Sequence, residues 1–215
     1  MRIFTISLYI CNMIQEEFKF YKPCKLLQPY VRYYWVFSSN QMLKTYTFPI
    51  GCSQIIFHKR TPLYVPELDT TQHRLTISGQ VNFSSHLQAD DDIEMIVVVF
   101  YPHTINLFLD TPASSFYNKE VSGYDIEDKH LAELAKQVFE CEDNNHCVNL
   151  IERWLLSRLS IRPYETTYRV RRMLAAIEQL CAAPQTLITD LSSTCCLCKK
   201  QFQREFGLHV GSKPK

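Results

Sequence analysis

The spacing of apolar residues changes once along this chain, near Pro102, and that change restricts the fold more than any other feature. Before it, short runs rich in aromatic and β-branched residues recur: YVRYYWVF (Tyr30–Phe37), SQIIFH (Ser53–His58), RLTISGQ (Arg74–Gln80) and EMIVVVFY (Glu94–Tyr101). Such residues suit the pleated, half-buried surface of a sheet. Polar turn segments divide the runs, namely SSN at 38–40, PIG at 49–51 and ADDD at 89–92. After Pro102 the period becomes helical. DKHLAELAKQVFE (Asp128–Glu140) lines up Leu131, Leu134, Ala135, Val138 and Phe139. VNLIERWLLSRL (Val148–Leu159) does the same with Val148, Ile151, Leu155 and Leu159. INLFLDTP (Ile105–Pro112) reads as a short helix ended by Thr111-Pro112.

These periods predict an α+β class. The N-terminal unit, 1–160, is expected to be β-rich over 14–101, as a small barrel or a curved sheet, with packed helices over 104–159. SIRPYETTY, with its proline and broken periodicity, marks a linker over 161–168. The remainder, 169–215, is expected to be an all-α subdomain. In it YRVRRMLAAIEQL turns Val170, Met173, Leu174, Ile177 and Leu180 to one face. Thr186 is positioned to cap a short second helix, and KKQFQREF carries Phe202 and Phe206 at i, i+4.

Charge follows the same division. From Ile161 onward there are nine basic and four acidic side chains, a net of +5, leaving −4 for the first 160 residues. A basic module joined to a mildly acidic one suits a nucleic-acid reader attached to something else. With 46% hydrophobic and 21% charged residues the chain can build cores, which excludes a disordered tail. No run approaches the roughly 18 apolar residues of a membrane span, so a cytoplasmic protein with no membrane partner is expected. MRIFTISLYICN superficially resembles a secretion signal but lacks a cleavage site; an additional strand, or a true start at Met13, accounts for it more simply.

The nine cysteines form no even disulfide framework. Three of them crowd into TCCLCKKQFQREFG (194–207) as Cys195, Cys196 and Cys198. Structural zinc wants two spaced ligand pairs, and neither Cys181 nor His209 completes such a set. Cys198 falls where the cap of the last helix belongs, a place that lowers a thiol pKa, so a reactive thiol is the rival to a small cap residue. The geometry favours a helix-turn-helix: Leu187–Cys195, a turn at Cys196-Leu197-Cys198, then Lys199–Leu208. Leu197 is expected under the turn, with Phe202 and Phe206 against Leu187, Ile188 and Leu191. The other face of the last helix then carries Lys199, Lys200, Gln203 and Arg204, groups able to bond base edges and phosphate.

Other polar groups give little chemistry. His58, His73, His86 and His103 form no H-x-H ligand pair, so no metal or cofactor is expected. CEDNNHC (Cys141–Cys147) reads as an acidic interhelical loop, and ADDDIE (Ala89–Glu94) as a solvated turn. No phosphate-binding glycine loop or nucleophile elbow occurs, so no catalytic residue and no enzyme activity are expected.

Ile177–Lys215 resembles the first helix-turn-helix of AraC/XylS-type transcription regulators, in register at Leu191, Cys196, Leu197, Phe202, Arg204, Phe206, Gly211, Pro214 and Lys215. It departs at Cys198, usually a serine cap, and at Lys213. PYVRYYWVF, FPIGCSQIIFH and VFYPHTINLFL resemble an N-terminal domain of some such regulators, departing at Ile50 and His103. The resemblance implies double-stranded DNA as partner, read in the major groove by Lys200, Gln203 and Arg204. Lys199, Lys213 and Lys215 would hold phosphate. It also implies a small-molecule effector or a homodimer through the N-terminal unit. The family's second helix-turn-helix is expected to be absent, because Lys215 stands where the connecting helix begins, and DNA binding should then be weak and salt-dependent. The alternative function is a small-molecule-binding or protein-interaction module without autonomous DNA binding.

Overall fold

The computed structural model of the protein describes residues 16–212. The start at Met1 or Met13, the N-terminal strand, Lys213 and Lys215 lie outside them. The strands in chain order are β1 (Glu16–Tyr21), β2 (Val31–Ser39), β3 (Leu43–Thr47), β4 (Gln54–His58), β5 (Tyr64–Val65), β6 (Thr70–Thr71), β7 (Leu75–Ser78), β8 (Ser85–Ala89), β9 (Ile93–Phe100) and β10 (Glu120–Ser122). The helices are α1 (Lys129–Glu140), α2 (Asn144–Ser160), α3 (Tyr164–Ala182), α4 (Ile188–Thr194) and α5 (Lys199–Val210).

The protein is α+β, with a β-rich N-terminal region followed by five helices. Two antiparallel sheets, ordered β1-β2-β9-β4-β7-β10 and β3-β8-β5-β6, replace the barrel alternative. The central strands of the larger sheet are buried on both faces, which explains the unbroken apolar run of β9. Its residues alternate: Ile93, Met95, Val97 and Val99 join one core, while Ile96, Val98 and Phe100 join another. In β2, Phe37 belongs to the first core, Tyr34 and Val36 to the second. The first core lies between the sheets and includes Leu43, Leu63 and Ala89 of the smaller sheet and its connections. The second receives Leu131, Leu134 and Val138 of α1, and Ile151, Trp154 and Leu155 of α2. Each helix starts at an aspartate, Asp128 or Asp143, whose side chain accepts two backbone N–H groups of the first turn.

Several local expectations are corrected. The strand β10 sits in the segment expected to be helical, because three residues pairing with β7 through backbone alone leave no periodic signal. The expected helix Ile105–Pro112 holds a single 3-10 turn at Ile105–Leu107, and a second 3-10 turn follows beyond it at Ala113–Ser115. The acidic loop of CEDNNHC is mostly the first turn of α2, nucleated by Asp143. Within the expected linker only 161–163 separate α2 and α3; Pro163 starts the second helix, with its carbonyl accepting from Thr166 and Thr167. Val170 of α3 packs into the core of the N-terminal unit. Among the described residues no helix is long and apolar enough to cross a membrane.

Candidate functional site

The C-terminal helices build their own core from Met173 and Ala176 of α3, Leu191 of α4, Cys195, and Phe202, Phe206 and Val210 of α5. Burial of Phe202 and Phe206 turns the opposite face outward, and Lys199, Lys200, Gln203 and Arg204 are all exposed. Arg204 pairs with its neighbour Glu205 at 3.3 Å while its side chain stays 67% exposed. Such a surface pair holds its members weakly and leaves the guanidinium available. Leu187, expected in this core, is 66% exposed, because α4 starts one residue later and Leu187 becomes its cap. Thr186 does not cap α4 either; its hydroxyl donates to the Ala183 carbonyl.

The cysteine cluster is the elbow between α4 and α5. Cys195 is buried, with its Sγ 3.1 Å from the Arg172 carbonyl, and burial pushes its thiol pKa up. Cys196 takes a left-handed conformation, φ +50°, uncommon outside glycine and asparagine, which turns the chain sharply. Cys198 occupies the cap of α5 in extended backbone without a side-chain capping bond. Leu197 is half-buried against the core, as a residue beneath the turn should be. Among the described residues no three His, Cys, Asp or Glu side chains are grouped to hold a metal ion.

Arg172, which sequence reasoning missed, fastens this elbow. Its Nε donates to the Cys195 carbonyl at 2.8 Å and its Nη2 to the Cys196 carbonyl at 2.8 Å, with a further bond from Nη2 to Cys195. A guanidinium at a helix C-terminus satisfies carbonyls that lack intrahelical partners and complements the helix dipole. Arg169, one turn earlier, is exposed and shares a groove with Arg204 and Gln201. The spacing 169–172–204 crosses two helices, so no local pattern could announce it.

The far end of α5 docks on the N-terminal unit. Gly211 ends the helix at φ +89°, and a Cβ there would lie 2.9 Å from the Ala113 carbonyl oxygen. Asn106 and His209 are hydrogen-bonded at 2.5 Å, and His209 lies 3.4 Å from Glu205. Burial holds the His209 pKa down against the opposing pull of Glu205. The exposed polar face at the start of α5 stays clear of this contact.

A second candidate site lies between the sheets. A cavity of about 260 Å³ runs from the aromatic side chains Phe18, Phe20, Tyr33 and Trp35 to Gln72, Ser78 and Glu120. Its mouth includes Phe20 and Phe48, both more than half exposed. Exposed aromatics clustered at a cavity rim mark a binding surface more often than a plain one. At the other end, Ser78 Oγ donates to Glu120 Oε1 at 2.9 Å and Gln72 Nε2 to Glu120 Oε2 at 3.1 Å. Gln72 Oε1 lies 2.8 Å from His58 Nε2. Burial lifts the Glu120 carboxyl to about 7, against these two hydrogen bonds, and lowers His58 to about 4. Gly79 permits the wall to close: a Cβ there would fall 1.7 Å from the Phe116 carbonyl oxygen.

A search of curated proteins finds no match. Among solved structures the chain is similar to ToxT from Vibrio cholerae strain SCE256, seen with an unsaturated fatty acid bound, at 9% identity. That likeness covers 94% of this chain and 95% of the other with a TM-score of 0.29, a level that carries no argument about fold or function. Residues 19–122 match the family described as Domain of unknown function (DUF6597). The match begins within β1 and closes on the last residue of β10, so it spans the two sheets and the cavity between them.

Proposed function

We propose that the protein is a DNA-binding transcription regulator of the AraC/XylS type, with α5 reading the major groove and the cavity between the sheets receiving a small effector. The observation that carries this reading is the tight α4–elbow–α5 unit with Lys199, Lys200, Gln203 and Arg204 exposed on one face. Lys200, Gln203 and Arg204 take the base-edge role and Lys199 a phosphate role, joined by Arg169 across the groove. The contacts available from α5 and Arg169 by themselves support micromolar rather than nanomolar affinity at physiological salt. Coupling to an effector has a short covalent path: the segment 113–120 presents Ala113 to Gly211 at one end and Glu120 to the cavity at the other.

Fluorescence anisotropy with a randomised duplex pool at 50 and 200 mM salt tests the proposal. Binding should weaken steeply between the two conditions and fall at least tenfold in the triple variant Lys200→Ala, Gln203→Ala, Arg204→Ala. Absence of binding at low salt, or indifference to the triple variant, overturns it. A binding module without autonomous DNA recognition is the second reading, favoured by a cavity that is complete within the two sheets.

A further inference from the structure

Among the described residues, Glu120 is the only lysine, arginine, aspartate or glutamate lining the cavity between the sheets. Its two oxygens each accept one neutral hydrogen bond, from Ser78 and Gln72, and no lysine or arginine among the described residues forms an ion pair with it. A carboxylate with neutral partners in a largely apolar cavity lacks the counter-charge that buried ions normally have. Each oxygen retains acceptor capacity for a further donor. The rest of the lining is mainly apolar and aromatic, with Thr47, Gln54 and Ser85 as further neutral polar side chains. Tyr33 and Trp35 on β2 stand four strand spacings from Glu120 on β10 within the larger sheet, about 19 Å along the hydrogen-bonding direction before curvature. Aromatic faces attract cations as well as apolar surface.

We propose that this cavity binds a small organic cation, an amine or amidine on an apolar or aromatic body, with Glu120 as its counter-ion and the apolar side chains between it and the aromatic end, Ile56 of β4 and Val97 of β9, holding the body. The proposal rests on the reading of the cavity as the effector site and names the chemistry it selects. A carboxylate ligand of the same shape is rejected by like charge at Glu120, and a neutral alcohol is accepted without the ionic contribution. The positive charge supplies the counter-ion that none of the described residues gives Glu120. Ser78 and Gln72 orient the carboxylate, and His58 behind Gln72 fixes the amide through its Nε2 contact.

Three probes sharing one skeleton separate the ideas: 3-phenylpropylamine, 3-phenylpropanol and 3-phenylpropanoate, titrated calorimetrically into the full chain at pH 8. The amine should bind at least tenfold more tightly than the alcohol and the carboxylate. In Glu120→Gln the amine should lose that advantage while the alcohol binds as before. Amine preference in the unaltered protein is itself decisive if the variant folds poorly. Binding of the alcohol or carboxylate at least as tight as that of the amine overturns the cationic class and leaves the effector cavity standing. No binding of any probe overturns both.

Discussion

The guanidinium of Arg172 on α3 holds the carbonyl of Cys195 at the end of α4, with the Nε–O distance 2.8 Å. This one contact ties the three C-terminal helices together across 23 residues, at the elbow that the cysteine cluster forms. Cys195 fills the core beside it, Cys196 makes the left-handed turn, and Cys198 begins α5.

Arg172→Met should therefore loosen the elbow, and it also removes the guanidinium that lies 5.7 Å from the Tyr168 ring centroid. Loss of charge-assisted bonds to half-buried carbonyls costs about 1–2 kcal/mol. Urea unfolding monitored by helical circular dichroism should show that decrease, and DNA affinity should fall with it because α5 loses its fixed angle.

The exposed face of α5 should behave in the opposite way. Lys200→Ala, Gln203→Ala and Arg204→Ala remove side chains with no core role, so stability should stay within about 0.5 kcal/mol of the parent. Lys199→Ala should weaken binding evenly across sequences and reduce the salt slope by roughly one. Changes at Gln203 or Arg204 should alter which sequences a randomised pool yields.

Gly211→Ala probes the seam between the units. The residue has φ +89° and faces the Ala113 carbonyl, so the substitution introduces both backbone strain and a close contact. A loss of about 2 kcal/mol in urea unfolding is expected. Hydrogen exchange should rise at the C-terminal turn of α5 and not across α1 or α2.

Glu120 sets a pH dependence of definite sign. Its carboxyl titrates near 7 when folded, above the ordinary 4.5, because burial penalises the charge. Between those values the folded chain keeps a proton the unfolded chain has lost, so stability falls as pH rises through that window. Glu120→Gln removes the penalty and should be more stable than the parent at pH 8 by on the order of 2 kcal/mol, with little difference at pH 4. Thermal unfolding at the two pH values measures it.

His58 and His103 act in the reverse sense. Burial lowers both to about 4, with His209 adding to the effect at His103. Unfolded histidines take up protons near 6.5, so stability is lost as pH falls from there toward 4. Glu120 opposes this loss by gaining a proton over part of the same range. The Glu120→Gln variant should therefore lose stability more steeply than the parent between pH 6.5 and 4.5, read from unfolding midpoints.

The strands β2, β4, β7 and β9 and the helices α1, α2, α3, α4 and α5 are legible in the sequence, because each carries a local rhythm or cap that can be read. The facing of α5 followed from Phe202 and Phe206 alone, since fixing the buried side of a helix fixes the exposed one. The short strands β5, β6 and β10 were not legible; two or three residues held by neighbours' backbones carry no period. Nor was the cavity's polar end, where His58, Gln72, Ser78 and Glu120 converge from separate strands and connections. By itself the sequence determined which residues alternate, which follow a helical stripe, and where the elbow falls, because those depend on neighbours within a few positions. Only the tertiary structure decided that Arg172 would meet Cys195, that Gly211 would rest on Ala113, and that Glu120 would lie in a mainly apolar cavity with no lysine or arginine of the described residues paired to it. Those relationships depend on how sheets and helices pack, and the burial that packing creates is what gives each polar group its chemistry.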